Sequence, residues 1–218
     1  MKKILFRSPF ILFFMGAAFT TIETRGNNLP DSIPKGWRAG PNNPADIIIG
    51  TDRTVRHSGK ASGFVQRALS LKPSTGSGVL FQSIAADPYR NKRVRLSVYV
   101  RSNDVESREG PGPFLYFGVY GTDSVLTYAN TMAKMIEETT DWTLYHITLD
   151  VPETSVSMEF GMILLGQGMV WVDDYKLEAV ELSIPSDDWI YKQKSPKPVK
   201  KMNYRPNAIA TNLGFDDK

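Results

Sequence analysis

The chain reads as an all-β protein, an antiparallel β-sandwich followed by an extended tail rich in lysine and proline. Three observations predict this. Several segments alternate apolar and polar residues with a period of two, residues 93–101 most plainly. Turn residues interrupt them at short intervals. No long segment repeats its apolar residues at the helical period. With 218 residues the chain can form one domain with a substantial core.

Residues 1–18 have the form of a secretory signal. Lys2, Lys3 and Arg7 supply its charged start, 11–15 begin an apolar run, and 16–18 are small. The apolar run is about half the ~20 residues that cross a membrane. The expectation is an exported protein, periplasmic or extracellular, with no membrane span once the signal is cleaved. A retained anchor is the alternative. There is no cysteine, so disulfides, a lipid-anchoring cysteine and a thiol nucleophile are all excluded. The formal charge is +3, but cleavage after Ala18 removes three of the 26 basic residues and leaves 23 of each sign. Nucleic acid is therefore not an expected partner.

Residues 19–35 read as an extended lead-in and 36–184 as the sandwich domain. Residues 46–50 form a short apolar strand, and 57–62 a turn leading into 63–69. In 76–84, Val79, Phe81 and Ser83 share a face. In 93–101, Val94, Leu96, Val98 and Val100 face the core, with Arg95, Ser97, Tyr99 and Arg101 outward. Residues 114–120 turn Leu115, Phe117 and Val119 inward and Tyr116, Gly118 and Tyr120 outward. Residues 128–140 hold a turn of helix or a long loop. In 142–151, Tyr145, Ile147, Leu149 and Val151 face in, and Pro152 ends the strand. Trp37, Trp142 and Trp171 are expected in the core or its rim.

The stretch 161–178 organises the rest. Met158, Phe160, Met162 and Leu164 line one face, and Gly166 and Gly168 supply a tight turn. Val170 and Val172 then point one way, Trp171 and Asp173 the other. Asp173 and Asp174 are adjacent carboxylates, which repel unless a cation or backbone amides neutralise them. A β-bulge with both side chains hydrated is the other reading.

Tyr99, Arg101, Tyr116 and Tyr120 form the candidate ligand-binding set. Tyrosine rings on a sheet stack against the apolar faces of sugars, and polar neighbours bond the hydroxyls, so a glycan or small polar ligand fits. Ordinary cross-strand pairing on a solvated sheet is the alternative. Catalysis finds no support: no nucleophile elbow, phosphate loop or dinucleotide fingerprint is present. Asp173 and Asp174 point apart, which makes a poor acid–nucleophile pair. His57 and His146 lack metal-ligand spacing. The expectation is a non-catalytic binding module, the alternative a structural or protein-interaction domain.

Taken in order, Gly36-Trp37, the loop His57-Ser-Gly-Lys-Ala-Ser62, residues 89–100, Thr139-Thr-Asp-Trp142, Phe160-Gly161 and residues 168–178 resemble the galactose-binding-domain-like jelly rolls. Carbohydrate-binding modules of families 4, 9 and 22 are the particular likeness, over about residues 36–181. The resemblance implies a structural calcium site in many relatives. Its ligands would be a last-strand Asp (Asp173, with Asp174 as the alternate), backbone carbonyls of the 57–62 loop including that of Lys60, and an acid on the first strand. That first-strand acid is missing before Gly36-Trp37.

Residues 185–218 read as a tail. Lys192, Lys194, Lys197, Lys200, Lys201 and Arg205 make it basic, which fits a solvated linker. Its end, Asn212-Leu-Gly-Phe-Asp216, resembles the opening strand of the jelly-roll family, displaced to the opposite end of the chain. The expectation is that residues 210–217 return to the sheet as a strand and bring Asp216 to the 57–62 loop and Asp173, completing a cation site. A neighbouring chain donating the strand would give a homodimer by strand exchange.

Overall fold

The computed structural model describes residues 33–40, 45–67, 76–106, 112–134, 136, 138–188 and 205–217. The expected signal and most of the lead-in and of the basic linker lie outside them. The strands among the described residues are β1 (Arg38–Ala39), β2 (Ile47–Asp52), β3 (Ser62–Arg67), β4 (Gly78–Ala85), β5 (Lys92–Glu106), β6 (Pro113–Tyr120), β7 (Val125–Asn130), β8 (Glu138–Val151), β9 (Ser157–Leu164) and β10 (Gln167–Val180). They form two antiparallel sheets of five. The first runs β2-β3-β10-β5-β8 and the second β1-β4-β9-β6-β7. The fold is a jelly-roll β-sandwich, and among the described residues the only helical element is a 3₁₀ turn at Asp87–Tyr89.

Alternation decides which residues meet between the sheets. From the first sheet come Val65, Val94, Leu96, Val98, Val100, Ile147, Leu149, Val170 and Val172. From the second come Leu80, Ile84, Leu115, Phe117, Val119, Met158, Phe160, Met162 and Leu164. The residues that alternate with these on the same strands face away from the core, while Gln82, between Leu80 and Ile84, shares their inward side. The described residues of 128–140 hold no helix: β7 ends at Asn130, a turn follows, and β8 begins at Glu138. Gly166 and Gly168 take φ of +98° and +108° in the turn between β9 and β10.

Bulging occurs in β10, where the register against β5 shifts between Asp173 and Lys176 and Asp174 adopts φ +51°. The extra residue changes the facing. Tyr175 turns into the core beside Trp37 and Phe160, while Asp173 and Asp174 both reach the 57–60 loop.

The C-terminal residues return to the sandwich but not as a strand over 210–217. Among the described residues, the one ladder contact is a parallel bridge between Asn207 and Ile84. Asn212 and Phe215 have φ of +50° and +56°, which break the extended conformation a ladder needs. The backbone groups are bonded mostly by side chains instead: Gln82 to Thr211, and the Trp37 indole to Asn212 O. Phe215 then inserts between the sheets, fully buried, stacked on Trp37 at 4.7 Å. Gly63 of β3 makes the room, since a Cβ there would lie 2.5 Å from the Phe215 ring.

Candidate functional site

The four residues of the expected ligand set do not share a surface. Tyr99 and Arg101 lie on β5, in the first sheet; Tyr116 and Tyr120 lie on β6, in the second. All four face away from the core, so they stand on opposite sides of the sandwich. Alternation identifies outward residues but not the sheet that consecutive strands join, and β5 and β6 join different ones.

The outward face of the second sheet is built in rows by cross-strand register. One row runs Ser83, Glu159, Gly118, Tyr128 across β4, β9, β6 and β7. The next runs Phe81, Gly161, Tyr116, Asn130. Tyr116 donates its phenol proton to Glu159 Oε1 at 2.9 Å, and its ring lies 6.4 Å from that of Tyr128 at an interplanar angle of 23°. Burial raises the Tyr128 phenol pKa, and the Glu159 charge adds to the rise. Tyr116 is only 5% exposed, and Phe81 and Phe114 on the same face are as buried. Ser83 is fully buried there, and its hydroxyl has no hydrogen-bond partner among the described residues. The space at Gly118 is taken by Tyr120, whose hydroxyl would sit 2.7 Å from a Cβ at that position.

The outward face of the first sheet carries a separate aromatic cluster. Phe64, Met169 and Trp171 are buried under Val55 and Trp142. The Trp171 indole donates to Asp52 Oδ2 at 2.9 Å, and the other Asp52 oxygen accepts from Thr54 and Val55 amides, folding the 53–57 loop over the sheet. Arg101 lies 6.0 Å from the Trp171 ring, and its Nε is 4.0 Å from Asp141. His57 stacks on Tyr99 at 3.6 Å and meets the edge of Trp142 at 5.8 Å. Of the three tryptophans expected in the core or rim, Trp37 is in the central core, while Trp171 and Trp142 belong to this outer cluster.

The carboxylates converge on the 57–60 loop. Asp173, fully buried, accepts the His57 and Ser58 amides at 2.8 and 3.1 Å on Oδ2 and the Asp174 amide at 2.8 Å on Oδ1. Desolvation pushes its pKa up to about 6 against the pull of those amides. Asp174 accepts from the His57 ring at 2.7 Å and the Ser58 hydroxyl at 2.8 Å. Asp216 accepts the Lys60 amide. The donor set does not fit the calcium that the resemblance implies. Each carboxylate faces hydrogen-bond donors, and Lys60 offers its N–H to Asp216. Among the described residues no group of three or more His, Asp or Glu side chains is placed to hold a metal ion.

Glu159, Tyr128 and Ser83 complete the second-sheet face and were not in the expected set. The available signal for Glu159 was a lone acid between Met158 and Phe160 in an otherwise apolar strand.

No family model matches the chain. The chain is 35% identical over 153 residues to a Bacillus subtilis protein described as an uncharacterized HTH-type transcriptional regulator, YbfP. The match takes 70% of this chain and 50% of that protein, so the chain spans about half the length of the curated relative it matches. Among solved structures, tailspike protein 4 of bacteriophage CBA120 aligns over 67% of this chain and 20% of its own with a TM-score of 0.50 at 8% identity, a likeness of fold alone. The CBM22-1 and GH10 modules of Clostridium thermocellum xylanase 10B align over 67% of this chain and 26% of theirs, with a TM-score of 0.46 at 13% identity. A xylan-binding domain of CBM family 22 aligns over 66% of this chain and 87% of its own, with a TM-score of 0.42 at 10% identity.

Proposed function

We propose that the chain is a non-catalytic, exported binding module that takes a carbohydrate or another polar ligand on the outward face of its second sheet. The observation that carries this reading is the cluster of Tyr116, Tyr128, Glu159 and Ser83. Two near-parallel tyrosine rings lie beside a carboxylate that already accepts one hydroxyl, and a buried serine hydroxyl in the same row has no described partner. Tyrosine faces suit the C–H surface of a sugar ring, and a carboxylate with a hydroxyl suits its vicinal hydroxyls. A glycan array probed with the purified protein tests this, followed by Glu159→Gln on any hit. The reading expects at least a tenfold loss of affinity with the circular dichroism spectrum unchanged. A hit that Glu159→Gln binds as tightly as wild type moves the ligand off this face.

A second reading is favoured by the curated relative, whose description names a transcriptional regulator. In that reading the module is the effector-sensing part of a protein that works inside the cell. Mass spectrometry of the native N-terminus separates the two. A mature end between about residues 18 and 27 supports export; recovery of Met1 in the cytosolic fraction supports the sensor.

A further inference from the structure

The C-terminal segment is bonded to the sandwich as a separate peptide would be. Asn207 exchanges two main-chain bonds with Ser83 and Ala85 of β4, both at 2.8 Å. Gln82 holds Thr211 from both sides, donating to its carbonyl at 2.9 Å and accepting from its amide at 2.8 Å. The Trp37 indole donates to Asn212 O at 3.0 Å, and the Tyr175 amide donates to Leu213 O at 3.0 Å. Phe215 fills the space above Gly63, and Asp216 closes on the Lys60 amide. Among the bonds between described residues, none joins this segment to residues 181–188, which lead out of β10. The groove reads the segment by its backbone and side chains, whatever path of chain delivers it.

The points of departure and return lie at opposite edges of one sheet. Asp188 accepts the Tyr128 amide of β7 at 3.2 Å, and Arg205 O accepts from Arg38 of β1 at 3.1 Å. Across five strands those edges are roughly 19 Å apart at ~4.8 Å per spacing. Residues 189–204 join them, and at ~3.3 Å each their contour is well beyond that span. A tether of that length lets a chain fill its own groove, and it also reaches a neighbouring molecule.

We propose that this groove is a homotypic docking site, which takes residues 207–217 of a second copy of the chain as well as its own. The occupant is fixed by complementarity: an Asn-Leu-Gly-Phe-Asp segment whose aromatic ring stacks on Trp37 and whose carboxylate meets the 59–60 amide. An emptied groove and a released segment each expose apolar surface, Trp37 and Tyr175 on one side and Phe215 on the other, so opened copies are complementary. Residues 189–204 join the segment to its own sandwich, so docking within one chain is independent of protein concentration while docking between chains rises with it. Self-docking therefore prevails in dilute solution, and exchange takes over at high protein concentration or when the tether is too short.

Deleting residues 191–204 leaves two residues to cross the gap, a reach of roughly 10 Å, too short for self-docking. Native mass spectrometry at micromolar concentration should find the full-length chain monomeric and the shortened chain dimeric. The shortened dimer should melt within a few degrees of the full-length chain, and adding Phe215→Ala should return it to monomer. A shortened chain that stays monomeric and melts as low as full-length Phe215→Ala overturns the proposal, as does a dimer that survives Phe215→Ala. In full-length chains, Gly63→Val blocks the groove but keeps the segment, and Phe215→Ala does the reverse. Mixing the two should give a heterodimer with one repaired groove; a mixture without heterodimer also overturns the proposal.

Discussion

Phe215→Ala is the sharpest test of how the fold closes. The ring is fully buried, 4.7 Å from Trp37, 6.1 Å from Tyr175 and pressed against the bare backbone of Gly63. Removing it takes away the transfer free energy of a buried phenyl group, about 1.5–3 kcal/mol. It also leaves a cavity whose walls are two other aromatic rings and a sheet, none of which can collapse far. Phenylalanine-to-alanine changes at such sites cost about 3–5 kcal/mol. For a domain of this size that is a fall in Tm of roughly 6–20 °C. Urea unfolding followed by tryptophan fluorescence is a suitable assay, because Trp37 reports directly on the site. The midpoint should drop with little change in slope. A loss under about 1 kcal/mol, far below the large-to-small range, would mean that the ring contributes no core packing, and the account of the C-terminal segment as a structural element would fail.

Other outcomes follow from the same geometry. Trp37→Ala should cost more than Trp142→Ala, because Trp37 is 5% exposed at the centre of the core whereas Trp142 is half-buried on the outer cluster; equal losses in chemical denaturation would contradict the assignment. Calcium at millimolar concentration should leave the Tm unchanged, since amides occupy both oxygens of Asp173 and one oxygen of Asp216; a rise of several degrees that chelation reverses would contradict it. The Asp173 carboxyl titrates near 6 in the folded state, above the 3.8 of an unperturbed Asp. Its folded pKa is raised, so its contribution is fully present below about 4 and is lost as pH rises through about 6, a change of up to about 3 kcal/mol. Asp173→Asn should remove that component of the pH profile, seen as a wild-type minus variant difference between pH 4 and 7; a flat difference would show that the carboxyl is not held in a dry site.

Much of the fold was legible because a period of two carries its own meaning. Val94 to Val100, Leu115 to Val119 and Met158 to Leu164 face the core as their alternation requires. Gly166 and Gly168 turn where a positive φ is needed. The adjacent carboxylates pointed to an irregular place in β10, and both the bulge and the backbone-amide partners are there. The sheet assignment was not legible, since it depends on crossovers that local pattern does not encode. For that reason Tyr99 and Arg101 were grouped with Tyr116 and Tyr120. Trp142 sits on the outer cluster as alternation requires, since the inward residues of its strand, Tyr145 to Val151, are the odd ones; its expected place in the core or rim came from residue type rather than from parity. The tail's Asn-Leu-Gly-Phe-Asp motif marked the return of Phe215 and Asp216, but not the two positive φ angles that keep it from pairing as a strand.

The most direct test of a ligand face on the second sheet is a ¹⁵N and ¹³C chemical-shift map of the protein titrated with the strongest neutral oligosaccharide from the glycan array. The account predicts shifts centred on Tyr116, Tyr128, Glu159 and Ser83, with the signals of Tyr99, Arg101 and Trp142 unmoved. Shifts centred on that second group, or saturation without movement at Glu159, would contradict it.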